Sequence, residues 1–199
     1  MEIDIYTLAH EIKNPLAIAK GYLEMSNQDN FNKYYDLINS NIMEALNILD
    51  NYLNYKKMCL DSEVIDIILL LEEVKSNYCE LNNITIYIIS IYDEIFIDAD
   101  YYKLKQVFSN LIKNSIEAKS TKIDIFLKRH DNNLIISIVD NGEGFNNTKK
   151  LVGYSYKING HGIGLVITKK IIELHSGTIE YVNNDDMGCN ILVNLPINL

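Results

Sequence analysis

The chain has 199 residues, 48% of them hydrophobic and 23% charged, with a formal net charge of −9 and an isoelectric point near 4.9. This suits one folded domain or two small ones rather than a disordered chain, and the acidic balance argues against binding nucleic acid or an anionic membrane surface. Cys59, Cys79 and Cys189 are scattered without a CxxC pair, and the longest apolar run, Val64 to Leu71, holds Asp66 and is too short to span a bilayer. With no signal peptide recognisable, the reading is a chain with free thiols, no membrane segment and a cytoplasmic location.

The first predicted helix runs from Ile3 to Met25. Ile5, Leu8, Ile12, Leu16, Ala19 and Leu23 form one apolar stripe, while His10, Asn14, Ala17 and Gly21 lie on the opposite face. Pro15 crowds the carbonyl of Glu11, so a bend is expected just past the histidine. His10, beside a strip of small residues, is open to another protein, although alone it also reads as a solvated surface histidine. A polar turn, Ser26 to Asn30, leads to a second helix from Phe31 to Met58 with the stripe Phe31, Tyr35, Ile38, Ile42, Ala45, Leu49 and Tyr52. Two such helices make an antiparallel hairpin too thin to enclose both stripes. A second copy would complete a four-helix bundle, so a homodimer is expected.

After Leu60 short β-rich runs alternate with helices. Strands are expected at Ser62 to Ile67, at Ile84 to Ile91 paired with Ile95 to Ile97, at Ile123 to Lys128, Leu134 to Val139, Thr178 to Val182 and Asn190 to Leu195. Helices are expected at Ile68 to Leu81, Asp100 to Ala118 and Leu165 to His175, the last stopped by Gly177. The fold class is α+β: a helical hairpin over residues 1–60, then a mixed α/β domain over 61–199.

Three pieces of this second region carry candidate chemistry. Asn110 and Asn114 stand one turn apart on a helix; their amide oxygens suit Mg²⁺, or they are exposed polar residues. Asp140-Asn141-Gly142-Glu143-Gly144 follows an apolar strand; the carboxylate can accept from an exocyclic amine such as that of adenine, or the stretch is an ordinary Asn-Gly turn. Gly160-His161-Gly162-Ile163-Gly164 opens a helix and offers unpaired N–H groups to an anion, a weak signal alone. It matches neither the GxGxxG dinucleotide fingerprint nor the P-loop. His130, in a turn, and His175, near a helix end, read as bland, and His161 could touch phosphate.

In this order the three pieces resemble the N, G1 and G2 boxes of two-component sensor histidine kinases, within the GHKL ATPase superfamily. The stretch His10-Glu11-Ile12-Lys13-Asn14-Pro15-Leu16 resembles their H box, and Asp100, Gln106 and the run from Asn110 to Ala118 are similar to the sporulation-kinase branch. The resemblance covers nearly the whole chain. It implies a dimerisation and phosphotransfer domain followed by a GHKL-type α/β sandwich that uses ATP and Mg²⁺. It further implies that His10 attacks the γ-phosphate, that Glu11 is the base and that Asn14 positions water for dephosphorylation of the partner. Glu11 and His10 are helix neighbours that do not face each other, which the bend at Pro15 must relieve. Asn114 is the implied Mg²⁺ ligand with Asn110 beside it, Asp140 the adenine acceptor, and Gly142 and Gly144 the lining of its pocket. Lys157, Gly160, Gly162 and Gly164 belong to a lid over the phosphates. Superfamily members that hydrolyse ATP carry Glu where Asn110 stands, so the γ-phosphate is expected to be kept for transfer to a response-regulator receiver domain. That receiver is expected to dock beside His10, where Ala17 and Gly21 leave room.

Two features depart from the pattern. Only nine residues precede His10, which leaves no sensor or signal-transmitting segment within this chain. The aromatic-Pro-aromatic F box is replaced by Leu151-Val152-Gly153-Tyr154-Ser155-Tyr156-Lys157. The rival readings are a phosphorelay phosphotransferase without kinase activity and an ATP-binding regulator that acts by docking. Intact Asn114, Asp140 and the lid glycines weigh against the first.

Overall fold

The computed structural model of the chain describes residues 5–28, 30–82, 84–144, 163–183 and 188–197. The chain divides into two compact units, Met1–Met58 with His161–Val166, and Cys59–Gly160 with Ile167–Leu199.

The hairpin of the first unit consists of α1 (Ile5–Met25) and α2 (Phe31–Lys56), packed against each other. Asn side chains make the connection between them. Asn27 Oδ1 accepts from the Asn30 N–H at 3.0 Å, and Asn30 Oδ1 accepts from the Asn27 N–H at 2.6 Å. The two side chains thereby tie the ends of the turn to each other. α1 continues unbroken through Pro15, whose ring is buried. The predicted apolar stripes divide lengthwise. Leu8, Ala19 and Ala45 are buried, as is Ile48, which lies outside the predicted stripe, whereas Leu16 and Leu23 keep 45% and 54% of their surface exposed and Ile42 and Leu49 keep 40% and 39%. The reason is geometric: two cylinders meet along one line, and an apolar stripe wider than that line stays partly uncovered.

Beyond the hairpin the chain forms β1 (Glu63–Asp66), α3 (Ile67–Asn82), β2 (Thr85–Ile89), β3 (Phe96–Ala99), α4 (Tyr101–Glu117), β4 (Lys122–His130), β5 (Asn133–Asp140), α5 (Ile163–Leu174), β6 (Thr178–Asn183) and β7 (Cys189–Pro196). A five-stranded sheet runs in the order β2-β4-β5-β7-β6. β2 lies parallel to β4, and the remaining neighbours are antiparallel. Burial alternates strictly along β5 and β7. Ile123, Ile125, Leu134, Ile136, Ile138, Ile191 and Val193 therefore share one core face with Leu104, Val107, Phe108, Leu111 and Ile112 of α4 and Ile171 and Ile172 of α5.

The expected pairing of Ile84 to Ile91 with Ile95 to Ile97 is not formed. β3 instead pairs antiparallel with β1 in a separate two-stranded sheet, with Ile65 opposite Ile97. The physical cause is Asp66. Its Oδ1 accepts from the N–H groups of Ile68 and Ile95 at 3.0 and 3.1 Å, and the Ile95 carbonyl accepts from the Ile67 N–H at 2.9 Å. These bonds carry the chain away from β2 just before β3 begins. His130 also differs from the sequence reading: it ends β4 opposite Asn133, and the turn that follows is made by Asp131, at φ 51°, and Asn132.

The N-terminus of α4 is the junction of three segments. Asp100 caps the helix, accepting from the Lys103 N–H at 3.0 Å through Oδ1 and from the Asp61 N–H at 3.0 Å through Oδ2. The backbone N–H of Asp100 donates to His175 Nε2 at 3.0 Å, and His175 Nδ1 sits 2.8 Å from the Ile171 carbonyl. One ring nitrogen accepts and the other donates, which defines the Nδ1–H tautomer of a buried histidine that closes α5. Beyond it the left-handed residue is Ser176, at φ 59°, and not Gly177. Glycine is required at 177 for space: a Cβ there would lie 2.3 Å from the Asn194 carbonyl oxygen.

Burial pushes the Asp100 carboxyl up, but the N–H bonds from Asp61 and Lys103, with the positive charge of Lys103, outweigh it and hold the group below its ordinary value. A carboxyl lowered in the folded state adds stability that is present above about pH 4 and fades as pH falls through the folded value. Asp100→Asn is expected to cost about 1 kcal/mol at pH 7, with the gap to the unaltered protein narrowing below about pH 4. Thermal unfolding at pH 7 and pH 3 checks this; an equal offset at both would contradict it.

Candidate functional site

The site centres on Asp140, the last residue of β5, of which only 4% is exposed. Four donors converge on its carboxylate. Oδ1 accepts from the backbone N–H of Gly142 at 2.9 Å and of Cys189 at 3.4 Å. Oδ2 accepts from the Ser115 hydroxyl at 2.9 Å and the Cys189 thiol at 2.9 Å. Burial, then the hydrogen bond to Asp140 and its negative charge, push the Cys189 thiol up, so it remains an S–H donor. Three elements, α4, β5 and β7, thus meet at one carboxylate.

The loop after Asp140 is no ordinary hairpin turn; it is docked on the end of α4. Asn141 Oδ1 accepts from the N–H groups of Thr121 and Lys122, both at 3.0 Å, and the Glu143 N–H donates to the Ala118 carbonyl at 2.8 Å. Gly142 fits because a Cβ would lie 2.6 Å from that carbonyl oxygen, and Gly144 takes φ 67°. From the other side Gly188, at φ 82°, brings its backbone against Asp140, where a Cβ would stand 1.9 Å from the carbonyl oxygen.

Asn110 and Asn114 are both half-buried on α4. Asn110 Nδ2 donates to Thr168 Oγ1 on α5 at 3.5 Å, and Asn114 immediately precedes Ser115, so the amide flank and the carboxylate cradle are built on one turn. Among the described residues no cluster of three His, Cys, Asp or Glu side chains could hold a metal ion. A divalent cation would rest on amide oxygen and on phosphates brought by a nucleotide, a donor set that fits Mg²⁺. Glu117 lies 3.7 Å from Lys113 and is exposed. Gly164 falls in the first turn of α5, while Lys157, Gly160, His161, Gly162 and the F-box stretch lie outside the described residues.

On α1, His10 and Asn14 are exposed and Glu11 is 3% exposed, so the histidine and its neighbour face different surroundings. A Cβ at Gly21 would meet nothing within 4 Å, and Ala17 is exposed. The sequence reading passed over Ser115, Thr168, Gly188 and Cys189 as members of the site, and took His175 as bland. The one local signal was Gly188, a lone glycine just before a strand.

Residues 99–199 match the family of histidine kinase-, DNA gyrase B- and HSP90-like ATPases, and residues 5–58 match the His kinase A phospho-acceptor domain. The chain belongs to the histidine kinase family. It is 35% identical to sporulation kinase B of Bacillus subtilis (strain 168), over 97% of this chain and 49% of that protein. It therefore spans about half the length of that kinase. The catalytic domain of histidine kinase ThkA superposes with a TM-score of 0.61 at 26% identity, covering 69% of this chain and 96% of that one. Histidine kinase ThkA in complex with response regulator protein TrrA matches 96% of this chain and 60% of that one, with a TM-score of 0.79 at 24% identity. The histidine kinase fold, a helical hairpin followed by an α/β ATP-binding domain, is thus the fold of this chain. Its described residues include no helix long and apolar enough to cross a membrane.

Gly188→Ala is expected to cost at least about 2 kcal/mol, since a side chain there is strained by its φ and meets backbone. Thermal unfolding measures it; a midpoint unchanged from the unaltered protein would show that this approach to Asp140 is not needed.

Proposed function

We propose that the chain is a histidine protein kinase core, with residues 1–60 as the dimerisation and phosphotransfer domain and 61–199 as the ATP-binding domain. The observation that carries this is the buried Asp140 carboxylate, ringed by donors beside Asn114, in a chain that also presents His10 on an open helix face. Asp140 accepts the adenine amine, with Gly142 and Gly144 against the base. Lys157, Gly160, Gly162 and Gly164 are assigned to phosphate binding by their resemblance to the family's lid. Asn114, with Asn110 beside it, would hold Mg²⁺, which supplies charge neutralisation at the phosphates. A ring nitrogen of His10 attacks the γ-phosphorus: the P–N bond forms, the bond to the β–γ bridging oxygen breaks and ADP leaves. Glu11 takes the other ring proton after turning out from its buried position.

Hydrolysis is disfavoured by the same residues. Asn110 occupies the place where a water-activating carboxylate would be needed, and Glu117 faces Lys113. Phosphohistidine then passes its phosphoryl group to a receiver aspartate. The exposed Ala17 and the open space at Gly21 support docking beside His10, and the solved complex of ThkA with TrrA is a precedent in a similar protein. Asn14, on the same face, positions water for dephosphorylation of that partner. The free thiols and acidic surface suit work in the cytoplasm.

Incubation with γ-labelled ATP and Mg²⁺ tests the central step. Acid-labile, alkali-stable label that is absent from His10→Gln is expected. Label retained by His10→Gln, or none with nucleotide binding also absent, would overturn the kinase reading.

The uncovered apolar edges of α1 and α2 support a homodimer closed as a four-helix bundle. Ile42→Glu with Leu49→Glu is expected to give a monomer by light scattering at micromolar concentration where the unaltered chain is a dimer. A monomeric unaltered chain would contradict this.

A further inference from the structure

The proposed adenine acceptor has every lone-pair site already used. A carboxylate offers about four, and the Asp140 carboxylate receives four donors while only 4% of the residue is exposed. A nucleobase amine can therefore gain a place only when one donor steps aside. The two donors on Oδ1 are backbone N–H groups of Gly142 and Cys189, fixed by the fold. The two on Oδ2 carry rotatable hydrogens. Of these, the Ser115 hydroxyl alone has a second acceptor in its own helix, the Leu111 carbonyl at 3.4 Å. A serine in mid-helix bonds back to that carbonyl readily.

We infer that Ser115 is a positioning residue that gates Oδ2 of Asp140. In the empty site its O–H fills the oxygen; when the base enters, the hydroxyl turns to Leu111 and the base amine takes its place. The inference rests on the reading that Asp140 accepts the adenine amine. Its cost is a charge-assisted hydrogen bond exchanged for a weaker one. Removing the hydroxyl removes that cost for ligands that bring an amine, and for no others.

The test is calorimetric affinity for ATP and for the triphosphate of unsubstituted purine riboside, which lacks the 6-amine. Ser115→Ala is expected to bind ATP about threefold to tenfold more tightly with the purine analogue unchanged. Ser115→Cys, with a weaker donor, falls between. Equal shifts for both ligands, weaker ATP binding, or no change in their ratio would overturn the role of Ser115. Asp140→Asn separates this from the parent reading. If it binds ATP as tightly as the unaltered protein, the base does not sit at Asp140 and both readings fall. If it loses ATP while the Ser115→Ala ratio stays put, only the inference about Ser115 falls.

Discussion

The ATP-binding unit is built to hold one carboxylate. Asp140 leaves the sheet at the end of β5, and α4, β7 and the loop that follows each send a donor to it. A buried carboxylate without such partners would be expelled or protonated, since desolvation of a charge costs several kcal/mol. Each donor thereby fixes an element. Ser115 sets the rotation of α4, and so the flank on which Asn110 and Asn114 lie. Gly188 sets the approach of β7, where a side chain would collide with the Asp140 backbone. The carboxylate on which these four donors converge is also the group proposed to read the base.

A second anchor lies at the opposite end of α4. Asp100 caps the helix, binds the N–H of Asp61 from the segment entering the domain, and gives its own N–H to His175 at the close of α5. The helix carrying the two asparagines is thus pinned at its first turn through Asp100 and at its last through Ser115. Rigid placement of this kind suits phosphoryl transfer, in which the protein contributes position and electrostatics more than covalent chemistry. The hairpin shows the reverse economy. Its two helices leave Leu16, Leu23, Ile42 and Leu49 uncovered while they present His10 outward.

The helices were legible because their signal is local. The apolar residues Leu104, Val107, Phe108, Leu111 and Ile112 of α4 are fully buried, and α4 is predicted within one residue at each end. The sheet strands β4, β5 and β7 were legible for the same reason, through alternation. Pairing was not: β3 joins β1 because Asp66 captures the Ile95 N–H from 29 residues away, and no periodicity encodes that bond. The site divides in the same way. Asp140, Asn114 and the glycines stand out as local motifs, whereas Cys189 reaches Asp140 across 49 residues and Ser115 across 25. His175 reads as bland in sequence because its two partners, Asp100 and Ile171, are set by tertiary contact and by a helix end. The chain end of α5 shows how a correct feature can carry the wrong cause: Gly177 is needed for close packing, and Ser176 takes the left-handed turn.

The claim that joins the two units is that nucleotide held at Asp140 supplies the phosphoryl group found on His10. Peptide mapping of the chain after incubation with γ-labelled ATP and Mg²⁺, for the unaltered protein and for Asp140→Asn, tests it most directly. The account predicts label on the peptide containing His10 in the unaltered protein and none in Asp140→Asn. Label on another peptide, or undiminished label in Asp140→Asn, would contradict it.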